Sequence, residues 1–195
     1  TLSIGEPLPS TTSAEALRQA VQELGEKAWR LRKSSRRPLH HSFVWSMRKH
    51  PFRVVFGDAT RPLVSCLQAL TGAIALARAL RPHWEGQHTV GILLPPSVGG
   101  ALANVAATLS GRTTVNLNYT VGVKGLESTA KQAGLMTVLT SRVFLEKAKV
   151  ELPSNLTPIW IEEIRNTIDS LARLTAVLLA LFAPIRMLER RCGAI

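Results

Sequence analysis

Short apolar runs that alternate with helical patterns over residues 89–161 constrain the fold of this chain more than any other feature. Strands joined through helices run parallel in one sheet, because each crossover returns the chain to the same edge. The stretch between the first two runs is rich in Gly and Ala, so a helix there can pack closely against a sheet. The sequence therefore predicts an α/β fold with a doubly wound sheet. The strand-like runs lie at 89–94, 113–117, 136–140 and 158–161.

Helical patterns flank this alternating part on both sides. Before it, residues 12–31, 39–50 and 62–80 predict helices, and the first of these carries a single apolar stripe. After it, residues 164–192 form a nearly continuous helical pattern, which Pro184 kinks or ends. We therefore expect a partial doubly wound, mostly parallel sheet with flanking helices, an N-terminal helical appendage and a C-terminal apolar helix.

The C-terminal segment contains an uncharged stretch at 174–185 with basic flanks. It is too short to span a bilayer as a helix, because a span takes about 20 apolar residues. An apolar helix with basic flanks can lie in a membrane interface. The favoured alternative is a helix that packs on the rest of the protein.

The chain is strongly basic, with 24 Lys and Arg against 13 Asp and Glu and a net charge of +11. Such a charge predicts attraction to anionic partners, namely nucleic acid, phospholipid headgroups, nucleotides or an acidic carrier protein. Many of the basic residues form a cluster between Arg30 and Arg53, and aromatic residues lie among them. The same mixture occurs on protein surfaces that bind single-stranded nucleic acid. No recognised nucleic-acid module surrounds the cluster, so a solvated basic linker is favoured, with anionic lipid as a third interpretation. The clustered residues are Arg30, Arg32, Lys33, Arg36, Arg37, Arg48, Lys49 and Arg53, with Trp29, Phe43, Trp45 and Phe52 among them and Arg186, Arg190 and Arg191 near the end.

The common nucleotide-binding and hydrolase motifs are missing from the sequence. It has no G-x-x-x-x-G-K-[ST], no G-x-G-x-x-G after a strand, and no G-x-S-x-G. Pro95, Pro96 and Ser97 follow a predicted strand at a helix N-terminus, where free amides suit anions. A plain structural turn is the favoured interpretation of that segment.

Histidine and cysteine patterns assign no site either. His40 and His41 start no H-x-x-x-x-D arrangement, because Trp45 and Ser46 stand where the acid would be. The five histidines and two cysteines show no zinc spacing, and the two distant cysteines indicate a reduced, cytosolic setting.

A resemblance to a known family rests on VGILLPPSVGGALANVAATLSGRTTVNLNYTVGVKGLESTAKQAGLMTVLTSRVFLEK, which begins at Val90. It resembles the N-terminal part of fatty-acyl–acyl-carrier-protein synthetases, adenylate-forming ligases of the AMP-binding superfamily of the kind fused to a 2-acylglycerophosphoethanolamine acyltransferase. The likeness covers 38–164 and is closest for LLPPSVGGALAN, GRTTVNLNYT and LTSRVFLEKAK. The earlier segment IGEPLPSTTSAEALRQAVQELGEKAWRLRK is similar to the tail of the acyltransferase module.

The resemblance implies a domain organisation and a parent activity. Residues 1–37 would be the acyltransferase tail and linker, 38–165 the N-terminal ligase subdomain, and 166–195 an amphipathic or apolar helical segment. The parent would activate a fatty acid with ATP and Mg²⁺, load it on acyl carrier protein, and pass it to a lysophospholipid. Its setting would be the cytoplasmic face of the inner membrane, with the remainder of the ligase domain as a partner and no nucleic acid.

Departures from the family pattern limit what this chain is expected to do. The family's phosphate-binding motif, of the form TSGSEGxPKG, is missing and is expected just beyond Ile195. The later nucleotide-binding motifs, the catalytic lysine and the acyltransferase His/Asp motif are missing too. The resemblance therefore assigns no catalytic, cofactor-binding or metal-binding residue, and we expect an inactive fragment that binds no cofactor by itself. Asn118, Tyr119 and Thr120 match a family motif and are interpreted as a turn. The alternatives are a basic membrane-surface or nucleic-acid-binding module and a complete small nucleotide-binding protein.

Overall fold

The computed structural model describes residues 4–31 and 38–194. The chain divides into two compact units, Thr1–Pro38 and Leu39–Ile195. The described part of the first unit contains one helix, α1 (Ala14–Leu31). Residues 32–37 of the predicted basic cluster lie outside the described residues. The proposed origin of 1–37 in an acyltransferase, and the predicted boundary near 165, stay predictions.

The second unit is built on a parallel sheet. Two short strands, β1 (Val54–Phe56) and β2 (Val64–Ser65), precede it and pair antiparallel with each other. The sheet itself consists of β3 (Thr89–Leu93), β4 (Thr113–Asn116), β5 (Thr137–Thr140) and β6 (Thr157–Trp160). Its order is β4-β3-β5-β6, and all three pairings are parallel. The predicted α/β fold with a doubly wound parallel sheet is confirmed, and each strand lies within one residue of its predicted bounds.

Helices cover both faces of this sheet because its strands bury side chains in both directions. Ile92, Leu139 and Ile159 point into the larger core, whereas Leu93 and Val138 point into the smaller one. The larger core is covered by α2 (Leu39–Lys49), α3 (Cys66–Leu80), α4 (Val98–Leu109), α8 (Ser170–Phe182) and α9 (Ile185–Cys192), with α7 (Ile161–Asn166) at its margin. The smaller core is covered by α5 (Gly122–Ala133) and α6 (Arg142–Ala148).

Small side chains allow α3 and α4 to pack closely in the larger core. Ala103, Ala106 and Ala107 on α4 are fully buried. A Cβ atom on Gly72 of α3 would lie 3.0 Å from a methyl group of Leu102, so the two helices meet at a residue without a side chain. The predicted role of the Gly- and Ala-rich helix in close packing is thus confirmed.

Two helix predictions need correction. The helix predicted over 62–80 begins only at Cys66, because Ser65 and Gln68 form a reciprocal capping box that fixes its first turn. The segment 164–192 is three helices, α7, α8 and α9; the break at Pro184 is as predicted, whereas the break at Asp169 was not predicted. Asp169 starts α8 by accepting a hydrogen bond from the Ala172 amide at 2.7 Å, and Pro184 separates α8 from α9.

The predicted turn at Asn118–Thr120 is confirmed. The Asn118 side-chain oxygen accepts hydrogen bonds from the Thr120 amide at 3.0 Å and the Thr120 hydroxyl at 2.9 Å, immediately after β4. This Asx turn leads the chain from the sheet into α5. Among the described residues, every helix is too short or too polar to cross a membrane.

Candidate functional site

A cleft lies at the carboxyl edge of the parallel sheet. From β3 the chain passes to β4 on one side, whereas β5 lies on the other side of β3. The carboxyl ends of β3 and β5 therefore flank a topological switch point, where doubly wound folds bind their ligands. Leu94, Pro95 and Ser97 follow β3, Ser141 follows β5 and Ile161 follows β6, and all five line the cleft.

The cleft is large and mostly apolar. Its volume is about 860 Å³, which lies within the range of small-molecule sites. Helices α3, α4, α7 and α8 contribute its walls, so its apolar lining belongs to the larger core. The apolar lining residues are Leu67, Gly72, Ala75, Leu76, Leu94, Leu102, Ile161, Ile168 and Val177.

Three arginines give the cleft a positive rim. Arg61, Arg165 and Arg173 all contribute to the lining, and all three are exposed residues. Within the described part of the chain, their guanidinium groups form no ion pair. The Thr71 hydroxyl also lines the cleft and has no hydrogen-bond partner among the described residues. The arrangement can hold an apolar ligand that also carries a negative charge.

The N-terminus of α4 borders the cleft, and two of its amides are engaged within the protein. The Val98 amide donates a hydrogen bond to Asp58 Oδ2 at 2.9 Å, and the Gly100 amide donates to Ser97 Oγ at 3.2 Å. A carboxylate of the protein therefore stands where an anion would bind. These contacts give the segment Pro95–Ser97 a structural role at the start of α4.

Asp58 is held by four donors. Its Oδ1 accepts from the Thr60 amide at 2.8 Å, the Thr60 hydroxyl at 2.7 Å and the Arg61 amide at 2.7 Å, in addition to the Val98 bond to Oδ2. The hydrogen bonds from Thr60 and Val98 lower the pKa of the Asp58 carboxyl to about 2. Asp58 is therefore ionised at neutral pH and structural in its contacts, and no proton is available from it for general acid catalysis.

Ser141 completes the opposite edge of the cleft. Its hydroxyl oxygen accepts a hydrogen bond from the Phe144 amide at 3.2 Å, which caps α6. The same hydroxyl donates to Glu162 Oε1 at 2.6 Å and so links the ends of β5 and β6. Both contacts are internal to the protein and hold the Ser141 hydroxyl in place at this edge of the cleft.

The described residues of the cleft do not fit the phosphates of ATP or a Mg²⁺ ion. Phosphates need free backbone amides at a Gly-rich loop or helix N-terminus. At the start of α4, the amides of Val98 and Gly100 already donate to Asp58 and Ser97. Mg²⁺ needs carboxylate and water oxygens. Among the described residues, the one carboxylate that lines the cleft is that of Asp58, and it already accepts four hydrogen bonds. We therefore derive no chemical step through ATP or Mg²⁺ from this chain.

The predicted basic cluster is divided by the structure. Arg48 donates hydrogen bonds to the carbonyl oxygens of Leu179, Ala180 and Ala183 at 3.0, 2.7 and 2.7 Å, and burial lowers the pKa of its guanidinium. Lys49 lies 5.1 Å from the centre of the Trp45 ring. The arginines at 186, 190 and 191 are exposed, whereas residues 32–37 lie outside the described part. Arg48 is thus a structural residue, not part of a binding surface.

A second polar cluster joins the first and last helices of the second unit. The Nε2 atoms of His40 and His41 each lie 2.8 Å from Oε1 of Glu189. The hydrogen bond from His40 lowers the pKa of Glu189, and burial opposes it. Both cysteines are free and buried, and burial raises the pKa of the Cys192 thiol to about 11, so that thiol is unreactive.

The sequence offered only partial signals for these sites. Pro95–Ser97 after a predicted strand pointed to the right edge of the sheet, but the arginines of the rim come from three separate elements. The adjacent histidines were visible, but their carboxylate partner lies 149 and 148 residues away.

Comparison with known proteins supports the fold. No protein-family profile matches the chain. Among solved structures, it is similar to the NpsA N-terminal subdomain of Klebsiella oxytoca in complex with 3-hydroxyanthranilyl-AMSN, with a TM-score of 0.60, 14% identity, and coverage of 68% of this chain and 33% of that one. It is also similar to O-succinylbenzoate coenzyme A synthetase (MenE) of Bacillus subtilis in complex with AMP, with a TM-score of 0.53, 20% identity, and coverage of 64% and 32%.

A third similar structure is the luciferase-like enzyme from the nonluminescent Zophobas morio mealworm. Its TM-score is 0.52 and its identity 13%, over 65% of this chain and 32% of that one. These identities are low, so the likeness concerns the fold alone, which is similar to that of the NpsA N-terminal subdomain. The chain spans about a third of the length of these structures.

Proposed function

We propose that this chain supplies the acyl-binding part of an ATP-dependent, adenylate-forming ligase. The observation that carries the proposal is the apolar cleft of about 860 Å³ at the switch point of the sheet, with arginines at its rim. A fatty acid has the matching chemistry, because its chain is apolar and its carboxylate would lie near Arg61, Arg165 or Arg173. Burial of apolar surface would supply most of the affinity, and the guanidiniums would orient the charged end.

Within this proposal, the parent is a fatty-acyl–acyl-carrier-protein synthetase fused to a lysophospholipid acyltransferase. The support is the sequence resemblance over 38–164, together with the likeness to adenylate-forming folds. The parent would use ATP and Mg²⁺, with acyl carrier protein and a lysophospholipid as further partners. It would work in the cytoplasm at the inner membrane face.

The chain by itself would bind the acyl group without activating it. The cleft provides an apolar wall and cationic side chains, but its helix N-terminal amides are occupied by Asp58 and Ser97. The phosphates would have to be held by residues of the parent other than these. ATP–pyrophosphate exchange with palmitate should therefore be absent from the 195-residue protein, and measurable exchange would contradict this part of the proposal.

Binding of palmitate to the purified protein tests the cleft directly. Displacement of a fluorescent fatty acid gives Kd, and palmitate should bind more tightly than hexadecanol because the alcohol lacks the charge that the arginines recognise. Gly99 lines the cleft, and a Cβ atom added there meets nothing closer than Ser97 Oγ at 3.7 Å. Gly99→Leu should fill the cleft without disturbing α4 and raise Kd by at least about tenfold, or ~1.4 kcal/mol.

Gly25→Leu is the matched control for this experiment. Gly25 lies in α1, and nothing lies within 4 Å of an added Cβ atom. It introduces the same side chain at a helical glycine outside the cleft, so palmitate affinity should not change. Equal affinity of Gly99→Leu and Gly25→Leu would show that the cleft is not the acyl site.

The alternative function, a basic module for membrane surfaces, retains one supporting observation. Arg186, Arg190 and Arg191 on α9 are exposed and could contact anionic lipid. Flotation with vesicles of phosphatidylglycerol or phosphatidylcholine across a salt series separates the two functions. Salt-sensitive binding to the anionic vesicles alone would favour the module, and its absence leaves the acyl-binding proposal.

A further inference from the structure

We propose that His40, His41 and Glu189 form a site for a single Zn²⁺ ion that links α2 to α9. The two imidazole Nε2 atoms and a carboxylate oxygen of Glu189 all lie within 4.8 Å of one another. Two histidines and one carboxylate are a known zinc ligand set in proteins, with the fourth position left to water. The site is separate from the cleft, because none of the three residues lines it.

The convergence of the two rings is the first supporting observation. Adjacent side chains on a helix diverge by about 100°, yet both Nε2 atoms lie 2.8 Å from the same Glu189 oxygen. Their ring centres are 4.7 Å apart and their planes meet at 80°. The two nitrogen lone pairs can therefore approach one point from different directions, as ligands of a single ion do.

The distances need only a small adjustment to admit zinc. With Zn–N and Zn–O bonds of about 2.0–2.2 Å, tetrahedral geometry separates two ligand atoms by roughly 3.3 Å. The two N···O separations of 2.8 Å are about half an ångström shorter, whereas the full set of ligand atoms extends over up to 4.8 Å, so the two imidazoles would also move closer together. Small rotations of the Glu189 and His41 side chains would open that space, and the ring N–H groups that now face the carboxylate would give way to metal bonds.

The burial of the three side chains is a further supporting observation. The side chains of His40 and Glu189 are only 10% and 12% exposed, whereas His41 is 28% exposed. An ion would thus be shielded on two sides and could be reached from solvent past His41. The ligands are nitrogen and oxygen atoms only, which suits Zn²⁺ better than a soft ion such as Cu⁺.

Zinc titration of the metal-free protein, produced without a histidine tag, tests the site. Competition with a chromophoric chelator should give one Zn²⁺ per chain, and Tm should rise with zinc because the ion binds the folded chain. Loss of an outer partner of a metal ligand already costs 10–100-fold in affinity. Removal of a direct ligand in His41→Ala or Glu189→Gln should therefore weaken binding by at least about 100-fold.

His50→Ala is the matched control, because His50 is exposed just after α2 and outside the cluster. It should bind zinc as tightly as the native protein. If His41→Ala and Glu189→Gln also keep the native affinity, or if the native protein binds no zinc, the site does not exist.

Cobalt substitution keeps the proposal testable where a variant fails to fold. Co²⁺ in the native protein should give the strong visible bands of a tetrahedral site without a sulfur-to-cobalt charge-transfer band in the near ultraviolet. A charge-transfer band would assign the metal to Cys66 or Cys192 and overturn the proposal.

Discussion

The Asp58 carboxylate accepts a hydrogen bond at 2.9 Å from the backbone amide of Val98, 40 residues later in the chain. Through this bond, the loop after β1 closes over the N-terminus of α4 and forms one edge of the cleft. Three further donors from Thr60 and Arg61 hold the same carboxylate in place. One side chain thus caps a helix and shapes the ligand site.

The stability of the protein should depend on the ionisation of Asp58. Its native pKa is about 2, against an ordinary value of 3.8. Because the folded pKa is the lower one, the contribution is complete above about pH 4 and is lost as the pH falls toward 2. Asp58→Asn should lower Tm at neutral pH, and the gap to the native protein should narrow as the pH falls below 4. Urea unfolding at several pH values measures this.

Thr60→Val is the companion variant. It removes the hydroxyl that contributes most to the lowered pKa of Asp58, so the folded pKa should lie closer to 3.8, and the acid loss of stability should be smaller and end at a higher pH than in the native protein. Parallel pH profiles for native protein, Asp58→Asn and Thr60→Val would contradict the assigned role of the carboxylate.

Two neighbouring glycines at the start of α4 should respond oppositely to alanine. A Cβ atom on Gly100 would lie 2.9 Å from the Pro95 carbonyl oxygen, closer than real contacts allow. Gly100→Ala should therefore cost about 1–3 kcal/mol of unfolding free energy. Gly99 has room, so Gly99→Ala should be neutral or stabilising by up to about 1 kcal/mol. Chemical denaturation of both variants measures the free energies of unfolding. Equal effects of the two substitutions would contradict the close approach of Gly100 to the Pro95 carbonyl.

Arg48 should be more important for stability than its charge suggests. Its three hydrogen bonds satisfy carbonyls at the C-terminus of α8, where a cation also complements the helix dipole. Arg48→Met keeps the apolar stem but removes the donors, and should cost about 2 kcal/mol. Arg53→Met is the control, because Arg53 is exposed, and it should change the free energy of unfolding by less than about 0.5 kcal/mol.

The two sides of α8 should differ in their tolerance of substitution. Ala180 is fully buried, so Ala180→Leu should overpack the larger core and cost about 1–3 kcal/mol. Phe182 is 76% exposed, and Phe182→Ser should change stability by no more than about 0.5 kcal/mol. Thermal unfolding of both variants checks this; a large loss in Phe182→Ser would mean that the exposed side of α8 is covered in solution.

Local sequence patterns accounted for much of the fold. The strands at Thr89–Leu93 and Thr137–Thr140 and the helix that ends at Leu109 were predictable, because apolar periodicity and turn residues act over a few neighbours. The same patterns failed at Asp169, where a capping side chain starts a new helix inside an apolar periodic segment. The apolar periodicity continued across the break at Asp169, so the sequence pattern could not reveal that break.

The sequence by itself determined the alternation of strands and helices, the apolar faces and the resemblance to a ligase family. Only the tertiary structure decided that β3 lies between β4 and β5, which opens the cleft at their ends. It also decided that Arg48 meets the carbonyls of α8 and that Glu189 meets His40 and His41. The reason is that local propensities act between near neighbours, whereas a site is formed by distant residues that meet only when helices pack on the sheet.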